Sequence, residues 1–118
     1  MNYKSTYKYP EKMSSNARIE QIKTFLNETP EDAFLLYALA TEYVSLGNDE
    51  EALTLYLNLV AKQPDYFATY YHLGKLYERL SEDGEAEKIY AQGLAVTKQL
   101  GENHAHGELR GAYEELTF

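Results

Sequence analysis

The side chains best suited to chemistry stand near the C-terminus, where His104 and His106 lie between Glu102 and Glu108. Imidazoles and carboxylates are ligands for zinc and similar ions, and a paired imidazole and carboxylate can move protons. Their spacing argues against both uses. Two residues apart at a helix start, the histidines point about 200° away from each other, so sharing one ion is awkward. They read instead as solvated side chains of a terminal helix. There is no cysteine, which removes a thiolate nucleophile, a disulfide framework and a thiolate metal site. No glycine-rich phosphate loop is present, and no serine, histidine and acid fall at a spacing that suggests a triad. Lys75 and Arg79 could meet an acidic ligand, but two cations on one helix are weak grounds for a site. The expectation is a non-enzymatic protein with no cofactor and no metal.

Charge narrows the partners. The chain carries 11 Lys and Arg against 19 Asp and Glu, a net of -8, so it lacks the basic face a nucleic acid requires. No apolar run approaches the ~20 residues of a membrane span. The opening MNYKSTYKYPEKM has no apolar core of a secretory leader. A cytoplasmic protein with no nucleic-acid and no membrane partner is expected. Its 118 residues suffice for one domain with its own core. The charge is also uneven: Lys4, Lys8 and Lys12 against Glu11 leave residues 1–12 at +2 and the remainder at -10. Residues 1–14, with Tyr3, Tyr7 and Tyr9, read as a flexible arm, either without a role or docking in an acidic groove of the same or another copy.

The elements that position everything else repeat. Displaced by 34 residues, Pro30 falls on Pro64, Leu36 on Tyr70, Leu39 on Leu73, Ala40 on Gly74, Tyr43 on Tyr77, Ala52 on Ala86, Tyr56 on Tyr90 and Val60 on Leu94. A fixed period of this length marks stacked units that share a core. Apolar spacing predicts a helix over about 15–28 from Ile19, Ile22, Phe25 and Leu26. A second helix should run from Pro30 or Glu31 to Leu46, capped by Thr29 and ended by Gly47. A third spans about 49–63, with Asn48 and Glu51 as a capping box. The copy follows over about 65–80 and 83–100, with Ser81 to Gly84 as its turn. A last helix over about 103–116 carries Leu109, Ala112, Tyr113 and Leu116 on one face. The fold class is all-α. Ala40, Gly74, Ala52 and Ala86 are small where paired helices must cross closely, and Tyr43, Tyr77, Tyr56 and Tyr90 fill the wedges between pairs.

Leu39-Ala40-x-x-Tyr43 with Gly47, Ala52, Tyr56 and Pro64, and Tyr70-x-x-Leu73-Gly74-x-x-Tyr77 with Ala86 and Tyr90, resemble the tetratricopeptide repeat (TPR). The likeness covers about 70 residues in two copies without insertion. It departs at Gly93, where the family prefers alanine, and at Lys98, which stands in place of a closing proline. The resemblance implies a right-handed superhelical stack of antiparallel helix pairs, six helices in all. Its repeats would span about 31–64 and 65–98 of a single domain over 15–118. The helix over 103–116 would be a cap: Leu109 and Tyr113 lie 36 residues after Leu73 and Tyr77, but Arg110 replaces the small residue and would block a following helix.

By the same resemblance, the first helices of the pairs line a concave groove that binds a peptide segment of another protein. Its residues would be Phe34, Tyr37, Thr41 and Val44 on one helix and Ala68, Tyr71, Lys75 and Glu78 on the next, with His72 beside them. The alternative partner is a second copy, a homo-oligomer joined through the arm or the groove aromatics. The type of repeat that clamps a terminal carboxylate is not expected. Its Lys, Asn and Arg positions are occupied here by Tyr37, Thr41, His72, His104 and Glu108.

Overall fold

The hydroxyl of Ser14 accepts from the Ala17 N–H at 3.1 Å and so starts α1 (Ser15–Glu28). In a computed structural model the chain is described over residues 14–118, and these form α-helices and no strand. The others are α2 (Ala33–Leu46), α3 (Asp49–Lys62), α4 (Ala68–Arg79), α5 (Asp83–Leu100) and α6 (Asn103–Thr117). Apart from Ser14, the arm expected over residues 1–14 lies outside the described residues.

Among the described residues each helix packs on its neighbours in sequence, α4 also touches α2 and α6, and α1 packs against α2 alone. The stack extends 56 × 30 × 28 Å. Between α2 and α3, and again between α4 and α5, the small residues sit at the crossings. Ala40, Ala52 and Ala86 have no exposed surface. A Cβ added to Gly74 would lie 2.1 Å from Cε1 of Tyr90, and one added to Gly93 would lie 2.6 Å from Cβ of Tyr70. The departure from alanine at Gly93 thus has a cause in packing: α4 and α5 approach too closely there for any side chain. Tyr56, Tyr70 and Tyr90 are fully buried around these crossings, with Leu59, Leu73 and Leu109.

Two helix starts and one cap differ from expectation, for local reasons. Thr29 closes α1 rather than opening α2, its N–H donating to the Phe25 carbonyl at 3.2 Å. Pro30 and Glu31 form a turn, and Asp32 caps α2 by accepting from the Leu35 N–H at 3.0 Å. The capping box at Asn48 does not form. The Asn48 N–H instead completes the end of α2 by donating to the Tyr43 carbonyl at 2.9 Å, and Asp49, Glu50 and Glu51 favour the start of α3 through the helix dipole. Finally, α4 begins at Ala68, not Asp65. The preceding residues make a tight turn in which the Tyr66 N–H donates to the Gln63 carbonyl at 3.0 Å, and the Tyr70 hydroxyl ties that turn down through the Pro64 carbonyl at 2.7 Å.

The ends of α2 and α4 are the same device built with different residues. Gly47 is left-handed at φ 79°, and its counterpart one period later is Ser81 at φ 62°. Both are followed by an N–H that returns to the tyrosine of the closing turn, Asn48 to Tyr43 and Glu82 to Tyr77. A Cβ is strained in that conformation by about 1–2 kcal/mol, partly offset by the greater freedom of unfolded glycine. Ser81→Gly is therefore expected to stabilise the chain by about 0.5–1 kcal/mol and raise Tm by a few degrees in a calorimetric melt.

Candidate functional site

The helices α2, α4 and α6 lie side by side and present one face. On it Tyr37, His72 and Tyr71 form a row of edge-to-face rings: the Tyr37 and His72 centroids are 5.3 Å apart at 77°, and those of His72 and Tyr71 are 5.5 Å apart at 81°. Tyr66 extends the row beside Tyr37 at 5.7 Å, and the Lys75 ammonium lies 5.6 Å from the Tyr71 ring centroid.

Hollows flank the row. One, of about 420 Å³, is walled by Tyr37, Phe67, Ala68, Tyr71 and His72 on one side and by Glu102, His104, Ala105, Glu108 and Leu109 on the other. A smaller one, of about 250 Å³, lies toward the far ends of α2 and α4, between Thr41, Val44, Tyr56 and His72, Lys75, Leu76, Arg79. Thr41 is held there by its 3.0 Å hydrogen bond with the Tyr56 hydroxyl. Arg79 is committed to structure, donating to the Val44 carbonyl at 3.1 Å and to Asp49.

The structure therefore gathers Tyr37, Thr41, Val44, Ala68, Tyr71, His72 and Lys75 around two adjoining hollows. Phe34 and Glu78 line neither. Phe34 is 61% exposed, and the Glu78 carboxylate accepts from the buried Tyr90 hydroxyl and pairs with Lys75 at 3.7 Å. Sequence reasoning met His104 and Glu108 of the far wall only as mismatched clamp positions and did not include them in the groove. A third hollow, of about 580 Å³, continues past Tyr71 and Glu108 along Gly111, Ala112 and Glu115 to Phe118. The signal was present in the chain: adding 36 to Ala68, His72 and Lys75 gives His104, Glu108 and Gly111. The two late histidines diverge, His106 Nδ1 meeting the Thr97 hydroxyl at 3.1 Å and His104 Nε2 facing Glu108 at 3.7 Å.

Burial tunes the titratable groups of this face. It raises the Tyr37 phenol above its ordinary value, reinforced by Tyr66 and opposed by the Thr41 hydrogen bond, and it raises Tyr56 likewise. The His72 imidazole is pushed below its ordinary 6.5 by desolvation, with the Glu108 carboxylate pulling the other way. The sign for stability follows. Below pH 6.5 the unfolded chain takes up a proton at His72 that the folded chain resists, so stability falls as pH drops toward the folded value and is untouched above neutrality. His72→Gln is expected to flatten that part of the stability–pH curve, read as urea midpoints between pH 5 and 8.

Known proteins share this architecture. The family model described as TPR repeat matches residues 40–81, and that described as tetratricopeptide repeat matches residues 69–103. A tetratricopeptide repeat domain protein from Salinibacter ruber is 45% identical. Its solution structure superposes with a TM-score of 0.72 over 75% of this chain and 89% of that one, and its crystal structure with 0.70 over 73% and 96%. The crystal structure of MamA, 22% identical with a TM-score of 0.65, is similar in fold over 86% of this chain and 58% of its own. Among curated proteins, a TPR repeat-containing protein of Pseudomonas aeruginosa is 28% identical over 77% of this chain and 87% of its own length. The mouse protein O-mannosyl-transferase TMTC2 is 36% identical over 78 residues, and the chain spans 9% of its length. With two in-register copies of the motif, small residues at the helix crossings and a tetratricopeptide repeat domain 45% identical over 75% of it, the chain belongs to the tetratricopeptide repeat family, a family of protein-interaction modules.

Proposed function

We propose that this chain binds a peptide segment of another protein along the face made by α2, α4 and α6, and holds it without transforming it. The observation that carries this reading is the row of Tyr37, His72 and Tyr71 set between two hollows. Aromatic rings already held edge to face lose little freedom on binding, and large rings beside apolar pockets are where interface energy concentrates. Nothing in the hollows is arranged as nucleophile, base and orienting group. Thr97 and His106, which line none of the hollows, meet at 3.1 Å, but the buried Thr97 hydroxyl is bonded to the Gly93 carbonyl at 2.8 Å.

Affinity capture from the source cell with mass spectrometry identifies the bound segment, and titration calorimetry measures it. Tyr37→Ala with Tyr71→Ala is expected to weaken binding about 100-fold, as for two interface anchors that share one ligand. Far-UV circular dichroism should remain helical, because both rings are only partly buried. Undiminished binding by a folded double variant sinks the assignment.

A further inference from the structure

The hollow shared by α4 and α6 is predominantly acidic. Among the described residues its lining from Phe67 and Tyr71 to Phe118 includes Ala105, Leu109, Gly111 and Ala112, and the carboxylates of Glu102, Glu108, Glu114 and Glu115 outnumber the imidazoles of His72 and His104 and the Lys75 ammonium at the Tyr71 ring. The ring of Phe118 at its end is 96% exposed. A ligand for this trough needs apolar rings on one side and cations on the other.

The chain carries such a segment outside the described residues. Residues 3–9 read Tyr-Lys-Ser-Thr-Tyr-Lys-Tyr: Tyr3, Tyr7 and Tyr9 are at odd positions and Lys4 and Lys8 at even ones. In an extended chain those parities fall on opposite faces. Residues 1–12 hold a net +2 in a protein whose remainder holds -10. We infer that residues 1–13 of a second copy occupy the α4–α6 trough, with tyrosines on its floor and lysines against Glu108 and Glu115, so that two copies exchange arms. This rests on the groove reading above, with a second copy of the chain as the protein whose segment is held.

Reach decides between the same chain and another. The arm leaves from Ser14 at the start of α1, whose Arg18 pairs with Glu42 on α2 at 2.8 Å, and among the described helices α1 touches α2 alone. Two helix spacings of about 8–10 Å separate α1 from α4, with part of a third to the trough. With residues 3–9 in place, the five Cα–Cα steps from Tyr9 to Ser14 span at most about 18 Å when extended. The chain's own arm falls short. A partner's arm has no such tether, and reciprocal exchange closes a two-fold dimer.

The full chain in light scattering at about 1–500 µM should pass from its 13.6 kDa mass to twice that as concentration rises. The dimer should recede in 0.5 M salt, because the rim pairs are exposed. K4E/K8E and E108K/E115K should each weaken dimerisation at least tenfold while keeping the wild-type circular dichroism. Combining all four changes should restore it, a compensation that general loss of fold would not show. A wild-type chain monomeric throughout, or a dimer indifferent to both charge reversals, overturns the inference. If the chain is monomeric but partner capture still fails in the Tyr37 and Tyr71 double variant, only the occupant is wrong. If neither assay responds, the groove reading falls with it.

Discussion

Gly93→Ala is expected to destabilise the protein by about 3 kcal/mol, although it installs the residue that the repeat pattern favours. The added methyl would lie 2.6 Å from Tyr70 Cβ and 3.0 Å from Leu109 Cδ1. A Cβ moves only with its backbone, so relief requires α5 to shift away from α4, and α6 to follow. Gly74→Ala meets the other kind of obstacle. Its methyl would lie 2.1 Å from the edge of the Tyr90 ring, which can swing aside, giving up the hydrogen bond from its hydroxyl to Glu78. About 2 kcal/mol is expected there, after the gain of up to 1 kcal/mol that alanine brings to a helix. Chemical denaturation of both variants checks the ranking. If Gly93→Ala is neutral or stabilising, the α4–α5 contact is looser than it stands here, and the account of that departure from the family pattern fails.

That comparison also shows how far the chain was legible beforehand. The crossing residues Ala40, Gly74, Ala52 and Ala86 were readable because a period of 34 aligned them, and side-chain size is a direct statement about helix separation. Gly93 could only be seen as a departure. Its cause lies in a residue 23 positions earlier, where Tyr70 replaces the Leu36 of the first copy while Gly93 replaces Leu59. Large and small trade places across one contact, and a single sequence does not say which positions touch. Helix starts were ambiguous for another reason. Thr29 and Asp32 can both cap, and the winner is set by which one the end of α1 has already used. The candidate face was half visible. Positions on α2 and α4 map from the period, but Glu78 is drawn away by Tyr90, and the hollow runs on along α6, whose residue pattern speaks of a cap and not of a groove wall.

Tyr70→Ala is expected to cost about 4 kcal/mol, a large part of the 5–15 kcal/mol that a domain of this size commands. The residue has no exposed surface, packs on Gly93, and ties the turn after the first copy through the Pro64 carbonyl at 2.7 Å. It therefore serves two contacts: its ring fills the α4–α5 crossing, and its hydroxyl fixes the junction between copies. Tyr70→Phe keeps the first and removes the second, leaving a carbonyl without its donor, for about 1 kcal/mol. In a stacked array each unit is stabilised by its neighbours, so weakening the junction should uncouple the halves as well as lower the total. Urea unfolding followed by circular dichroism should then broaden in Tyr70→Ala, with an m-value below wild type, because the C-terminal helices open before α2 and α3. In Tyr70→Phe the midpoint should move with little change of slope. If both variants lose the same stability, the hydroxyl rather than the ring dominates. If Tyr70→Ala keeps the wild-type slope, the stack unfolds as one unit despite the damage, and the junction is not where its cooperativity resides.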